Sequence, residues 1–99
     1  MKITKLAEKI LLMMVKEYKN SEKETFTFDN FETCFSNEMQ DHLIKSIYLL
    51  KSDGFVNVLD ADDKPSFTTL LPSAIRQVEE DTLLKKGYSL VKQIKDLIP

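Results

Sequence analysis

The stretch Phe55-Val56-Asn57-Val58-Leu59-Asp60-Ala61-Asp62-Asp63-Lys64-Pro65-Ser66-Phe67-Thr68-Thr69-Leu70 decides the fold. Residues 55–59 and 66–70 are rich in aromatic and β-branched side chains, which suit a pleated, half-buried surface. Between them, residues 60–65 gather Asp and Pro. Asp bonds its own backbone and Pro fixes φ, so this segment reads as a turn. Two strands joined by a turn make a hairpin over 55–70.

Upstream, Gly54 suits the left-handed residue that commonly follows a helix. Met39, Leu43, Ile44, Ile47, Tyr48 and Leu50 mark an amphipathic helix over 38–52, its apolar series stopping at Lys51. Ser36 and Asn37 break the pattern before it. A short helix carrying Phe31, Cys34 and Phe35 precedes that break, with Asp29 or Thr27 as the oxygen-bearing cap. Thr25-Phe26-Thr27-Phe28 alternates small polar and aromatic residues as a short strand does. From Ile3 to Tyr18 the three-and-four spacing of Leu6, Ala7, Ile10, Leu11, Met14 and Val15 predicts a long first helix. Leu12 and Met13 widen its stripe, which implies cover on more than one side.

Downstream, Pro72 stands where a first helical turn tolerates the missing amide hydrogen. Ala74, Ile75 and Val78 continue that helix until Glu79-Glu80-Asp81. A last helix over 83–98 carries Leu84, Tyr88, Val91, Ile94 and Ile98 on one face, broadened by Leu90 and Leu97.

Helix, short strand, helix, helix and two-stranded hairpin is the order of a winged helix-turn-helix. The expectation is therefore an α+β, mostly helical fold. Residues 38–52 take the recognition-helix position, 55–70 form a two-stranded wing, and 83–98 form an additional C-terminal helix. An unrelated small α+β domain is the competing architecture. The 99 residues make one domain, well above the length at which a core needs metal or disulfide support. The apolar run 10–15 is far short of the roughly 20 residues a membrane span requires. The lone Cys34 forms no intrachain disulfide and no signal peptide is recognisable, so the expected compartment is the cytoplasm.

The chain resembles the YjcQ-like family of small phage and prophage-associated proteins. The similarity rests on Asp53-Gly54-Phe55, Asp62-Asp63-Lys64-Pro65, Leu70-Leu71-Pro72-Ser73-Ala74-Ile75 and Ile94-Lys95-Asp96-Leu97-Ile98, and it covers most of the chain. It implies a winged-helix fold and a phage or prophage origin, and it carries over no catalytic residue. The family pattern has a capping Thr and a Gly near the start of the fourth helix, where this chain has Leu71 and Ala74.

Such a fold invites a DNA-binding reading, with Asn37, Gln40, Asp41 and Lys45 facing the groove. Over 20–63, however, three Lys oppose ten acids, a net −7. Affinity for phosphate comes from basic groups that release counterions, so that face carries the wrong sign. Positive charge collects in the first helix, at +3 from five Lys and two Glu. Asp60, Asp62 and Asp63 lack the spacing, central Gly and closing Glu of a calcium loop. His42 and Cys34 are single, without metal-ligand partners at a fixed spacing or an oriented base, and no Gly-rich phosphate loop occurs. The expectation is no catalytic centre, no metal and no cofactor. Gly87 reads as a small residue at a close helix contact. The face of Leu84, Tyr88, Val91, Ile94 and Ile98 is expected either to pack against the first helix within the monomer or to reach the predicted partner, a second copy of the chain or another protein, with no membrane involvement. Nucleic acid is disfavoured by the acidic helix and wing, and a transcriptional regulator using 38–52 and 55–70 is the rival reading.

Overall fold

Leu6, Ala7, Ile10, Leu11, Met14 and Val15 are all fully buried, and their stripe folds the chain into α1 (Ile3–Ser21) at the centre of the core. The computed structural model describes residues 1–79. After α1 come β1 (Thr25–Thr27), α2 (Phe28–Cys34), α3 (Gln40–Ser52), β2 (Val56–Ala61), β3 (Lys64–Leu70) and α4 (Pro72–Glu79). The architecture is α+β and mostly helical, with a three-stranded antiparallel sheet in the order β1-β3-β2. The expected helix 83–98 lies outside the described residues. No helix among the described residues is long and apolar enough to cross a membrane.

Local chemistry sets most boundaries. α1 runs past its expected end at 18 because Ser21 Oγ donates to the Glu17 carbonyl (3.0 Å) and the Glu22 N–H donates to the Tyr18 carbonyl (2.8 Å). Glu22 itself closes the helix with a left-handed φ of 59°. Between the two expected caps, Thr27 serves: the Asn30 N–H donates to Thr27 Oγ1 (3.2 Å) and the Thr27 N–H to Asn30 Oδ1 (3.0 Å). This reciprocal capping box satisfies two free amides and starts α2 at Phe28, a residue expected in the strand. The first turn beyond α2 is closed by the Glu38 N–H on the Phe35 carbonyl (3.0 Å), so α3 begins at Gln40 rather than 38. Its other end has the expected glycine. Gly54, at φ 81°, donates to the Lys51 carbonyl, and the Phe55 N–H to the Leu50 carbonyl, the paired bonds of a Schellman motif.

The hairpin is tighter than the sequence suggests. Asp62 and Asp63 alone form the loop, at φ 53° and 61°, while Asp60 pairs with Pro65 and Ala61 with Lys64. Two consecutive left-handed residues match the twist of the flanking strands, and Asp tolerates that conformation. β3 therefore begins at Lys64, not 66. Pro65 fits because the ladder shifts register beside it, and because β1 reaches only to Phe67, leaving β3 with a single neighbour there. β1 pairs with β3 through Thr25↔Thr69, Phe26↔Thr68 and Thr27↔Phe67, making three strands where the hairpin alone supplies two.

The sheet turns Phe26, Val56, Thr68 and Leu70 into a core completed by Phe31, Leu43, Ile47, Leu50 and Phe55. α4 starts at Pro72 as expected. Leu71 holds that start with its backbone, its carbonyl accepting from Ala74 N–H (2.9 Å). Three polar residues, Glu8, Ser46 and Thr68, enter the core unforeseen. Glu8 is 2% exposed, and Thr68 is fully buried with no partner for its hydroxyl among the described residues. Thr68→Val is of equal shape and removes that unmet hydroxyl, so it is expected to stabilise the fold by about 1 kcal/mol, read as a raised urea midpoint at unchanged slope.

Candidate functional site

Burial of Leu43, Ser46, Ile47 and Leu50 turns one side of α3 inward, and the Ser46 hydroxyl fastens it to the Ile3 carbonyl (3.2 Å). The three-and-four spacing of Asp41, Lys45, Tyr48 and Ser52 places these residues together on the other side. Here Tyr48 O–H donates to Asp60 Oδ1, tying the helix to the hairpin. Tyr48, Asp60, Ala61, Asp62 and Asp63 line an open recess of about 440 Å³, in which the three carboxylates set the sign. The Asp60 carboxylate raises the Tyr48 phenol above its ordinary 10.0, with desolvation and the negative charge of Asp60 and Asp63 adding to the effect. The folded state holds this proton more tightly than the unfolded chain does. The resulting stability is complete below the unfolded pKa near 10.0 and is lost as pH rises through the higher folded value.

Beyond the hairpin, a second recess is lined by Phe28, Asp29, Glu32, Lys64, Ser66 and Phe67, with Thr27 at its edge. The Lys64 ammonium lies 5.8 Å from the Phe28 ring centre. Phe67 stands opposite Leu59 on β2, and the two are 46% and 66% exposed, an apolar pair on the outer sheet face.

The four expected base readers are all exposed. Asn37 lies in the link between α2 and α3. Gln40 Nε2 donates to Glu32 Oε2 (3.4 Å), and Lys45 Nζ pairs with Asp41 Oδ2 (3.0 Å). An exposed pair of this kind contributes only about 0.3–0.5 kcal/mol, so Lys45 is not locked in place. The weightier fact is that both polar donors have a carboxylate as nearest partner.

The acidic balance of 20–63 is only partly local to this surface. Asp29, Glu32, Asp41, Asp60, Asp62 and Asp63 flank α3 and the hairpin, whereas Glu22 caps α1 and Glu24 lines a small recess with Tyr18 and Pro72. Glu38 faces the amino group of Met1 at 3.9 Å.

Cys34 is exposed at the end of α2, and His42 is half-buried on α3. Among the described residues no group of three or more His, Cys, Asp or Glu converges to hold a metal ion. The expected association residues Leu84, Tyr88, Val91, Ile94 and Ile98, and Gly87, lie outside the described residues.

Sequence reasoning missed Tyr48, which reads as one more apolar position of α3, and the outward Leu59 and Phe67. The period-two alternation of β2 and β3 was the available signal for the latter pair. No family model, no curated protein and no solved structure matches the chain.

Proposed function

We propose that the chain is a non-enzymatic winged-helix interaction module that acts through protein–protein contacts as a homodimer. The winged-helix reading is supported by the element order α1-β1-α2-α3-β2-β3 and the strand order β1-β3-β2; in that reading α3 is the recognition helix and β2–β3 the wing. The resemblance to YjcQ-like proteins adds a phage or prophage setting, and the exposed free thiol of Cys34 suits a reducing cytoplasm.

The observation that carries the proposal is that the carboxylates of Asp41 on α3 and of Asp60, Asp62 and Asp63 on the hairpin are all exposed, on the elements that a DNA-binding winged helix presents to the duplex. Phosphate contacts position such proteins and supply nearly all nonspecific affinity, so a surface that repels phosphate leaves base reading without support. The rival regulator reading draws on Asn37, Gln40 and Lys45 being exposed at α3.

A gel-shift titration with random duplex at low salt tests the proposal. No retardation is expected at protein concentrations above about 10⁻⁴ M, the weak limit of ordinary nonspecific binding. A salt-sensitive shift favours the regulator. Self-association through residues 83–98 predicts a dimer mass in light scattering that Val91→Asp lowers. A monomer mass in both forms removes the homodimer.

A further inference from the structure

Several lysines among the described residues are already engaged. Lys45 pairs with Asp41, Lys23 bonds Asn30, and Lys51 and Lys64 stand over the rings of Tyr48 and Phe28. Lys5, Lys9 and Lys16, in contrast, are exposed on α1 and carry no ion pair among the described residues. Steps of four and seven residues put all three on one stripe of the helix, which runs about 16 Å at roughly 1.5 Å per residue.

The stripe edges an open groove of about 610 Å³ whose floor is Leu12, Met13 and Phe35. All three floor residues are half-buried and packed against the core, so the apolar surface is continuous with the interior. Among the described residues Glu17 is the one acid lining it.

We infer that this groove docks an acidic amphipathic helix, about three turns long, from a partner protein. The inference rests on the protein-contact reading above and names the chemistry of one partner. A groove edged by a lysine stripe about 16 Å long fits a helix that offers apolar side chains to the floor and carboxylates to the lysines. Nucleic acid would meet the lysines but gain little from an aliphatic floor whose single ring is half-buried. A membrane favours protruding apolar groups, and this floor is recessed. The chain's own residues 80–99 carry four lysines against three acids, the wrong balance for this rim.

The test uses the full-length, isotope-labelled protein and two synthetic helical peptides. They share Leu and Phe at the three-and-four spacing, one flanked by Glu and the other by Lys. At low salt the Glu peptide is expected to shift the amides of α1 and Phe35 and to bind at least about tenfold more tightly than the Lys peptide. Lys9→Glu with Lys16→Glu, both exposed, is expected to weaken it by a similar factor without altering the melting curve. Equal binding of the two peptides, no binding of the Glu peptide, shifts on another face or indifference to the double variant each overturns the inference. Anionic vesicles or single-stranded DNA shifting the same amides more strongly than the Glu peptide would overturn the choice of occupant. Failure here leaves the duplex and light-scattering results untouched, so the two proposals stand or fall separately.

Discussion

Phe31→Ala is expected to destabilise the fold by about 3–5 kcal/mol, the range for truncating a fully buried aromatic side chain. Phe31 has no exposed surface, and its ring stacks on Phe26 with centroids 5.9 Å apart. The energetic weight of that contact follows from the elements it joins. α2 has only seven residues and β1 three, lengths at which neither holds its own conformation in water. The capping box at Thr27 orders the junction but contributes only about 1 kcal/mol. Phe26 and Phe31, with Phe28, are what pin this strand and helix to α1 and the sheet. A domain of this size has roughly 5–15 kcal/mol in total, so the loss removes a large part of the cooperative transition. Urea unfolding followed by circular dichroism checks it, with Phe67→Ala as reference. Phe67 is 46% exposed, and its truncation should move the midpoint by no more than about 0.5 kcal/mol equivalent. Comparable losses for the two variants would mean that Phe31 is not the anchor described.

What was legible in the sequence was legible because its cause is local. The Asp-rich turn, Gly54 behind α3, the cap at Thr27 and the stripe of α1 each depend on side chains within a few residues of the backbone they shape. What was missed depends on distant partners. Nothing near Thr25 announces that its strand will pair with Thr69, and nothing near Tyr48 announces that its phenol will meet Asp60. The turn reads longer in sequence than it is because Asp60 and Pro65 are turn formers by type, whereas their pairing across the hairpin outweighs that preference. α3 reads from 38 in sequence because the polar break ends at Asn37, whereas Met39 keeps an extended backbone (φ −68°, ψ 142°) and caps a helix that begins at Gln40.

The charge reading shows the same division at the level of the site. A count along 20–63 finds the right sign but treats every acid alike, whereas the fold sends Glu38 to the amino terminus and Glu22 to a helix end. The lysines of α1 look scattered along the chain and become a rim only where Leu12, Met13 and Phe35 together floor the groove that they edge. Leu12 and Met13 did signal something in sequence, since a stripe wider than one neighbour needs implies a second neighbour. Within the described residues they end up half-buried on that groove floor.

If charge sign alone keeps this scaffold off DNA, then changing the sign should create binding. The variant Glu32→Lys, Asp41→Lys, Asp62→Asn, Asp63→Asn is expected to retard random duplex, where the natural chain does not. Each change has a separate reason. Asp41→Lys adds a cation and frees Lys45 from its pair, and Glu32→Lys removes the carboxylate that holds Gln40. Asn keeps the left-handed backbone of the loop, which Lys would strain at φ 53° and 61°. Asp60 stays, because its bond to Tyr48 fixes the helix against the wing. Two to four phosphate contacts imply a slope of log affinity on log salt of about −1.8 to −3.6, so binding should fall by about 12-fold to 150-fold from 50 to 200 mM salt. Glu22→Asn with Glu24→Lys, on another part of the surface, shifts the charge in the same direction as a control, keeps the left-handed backbone at residue 22 and should bind far more weakly. A quadruple variant that folds yet shifts no duplex, or a control that shifts it equally well, would show that α3 and the hairpin do not form a winged-helix reading face at all.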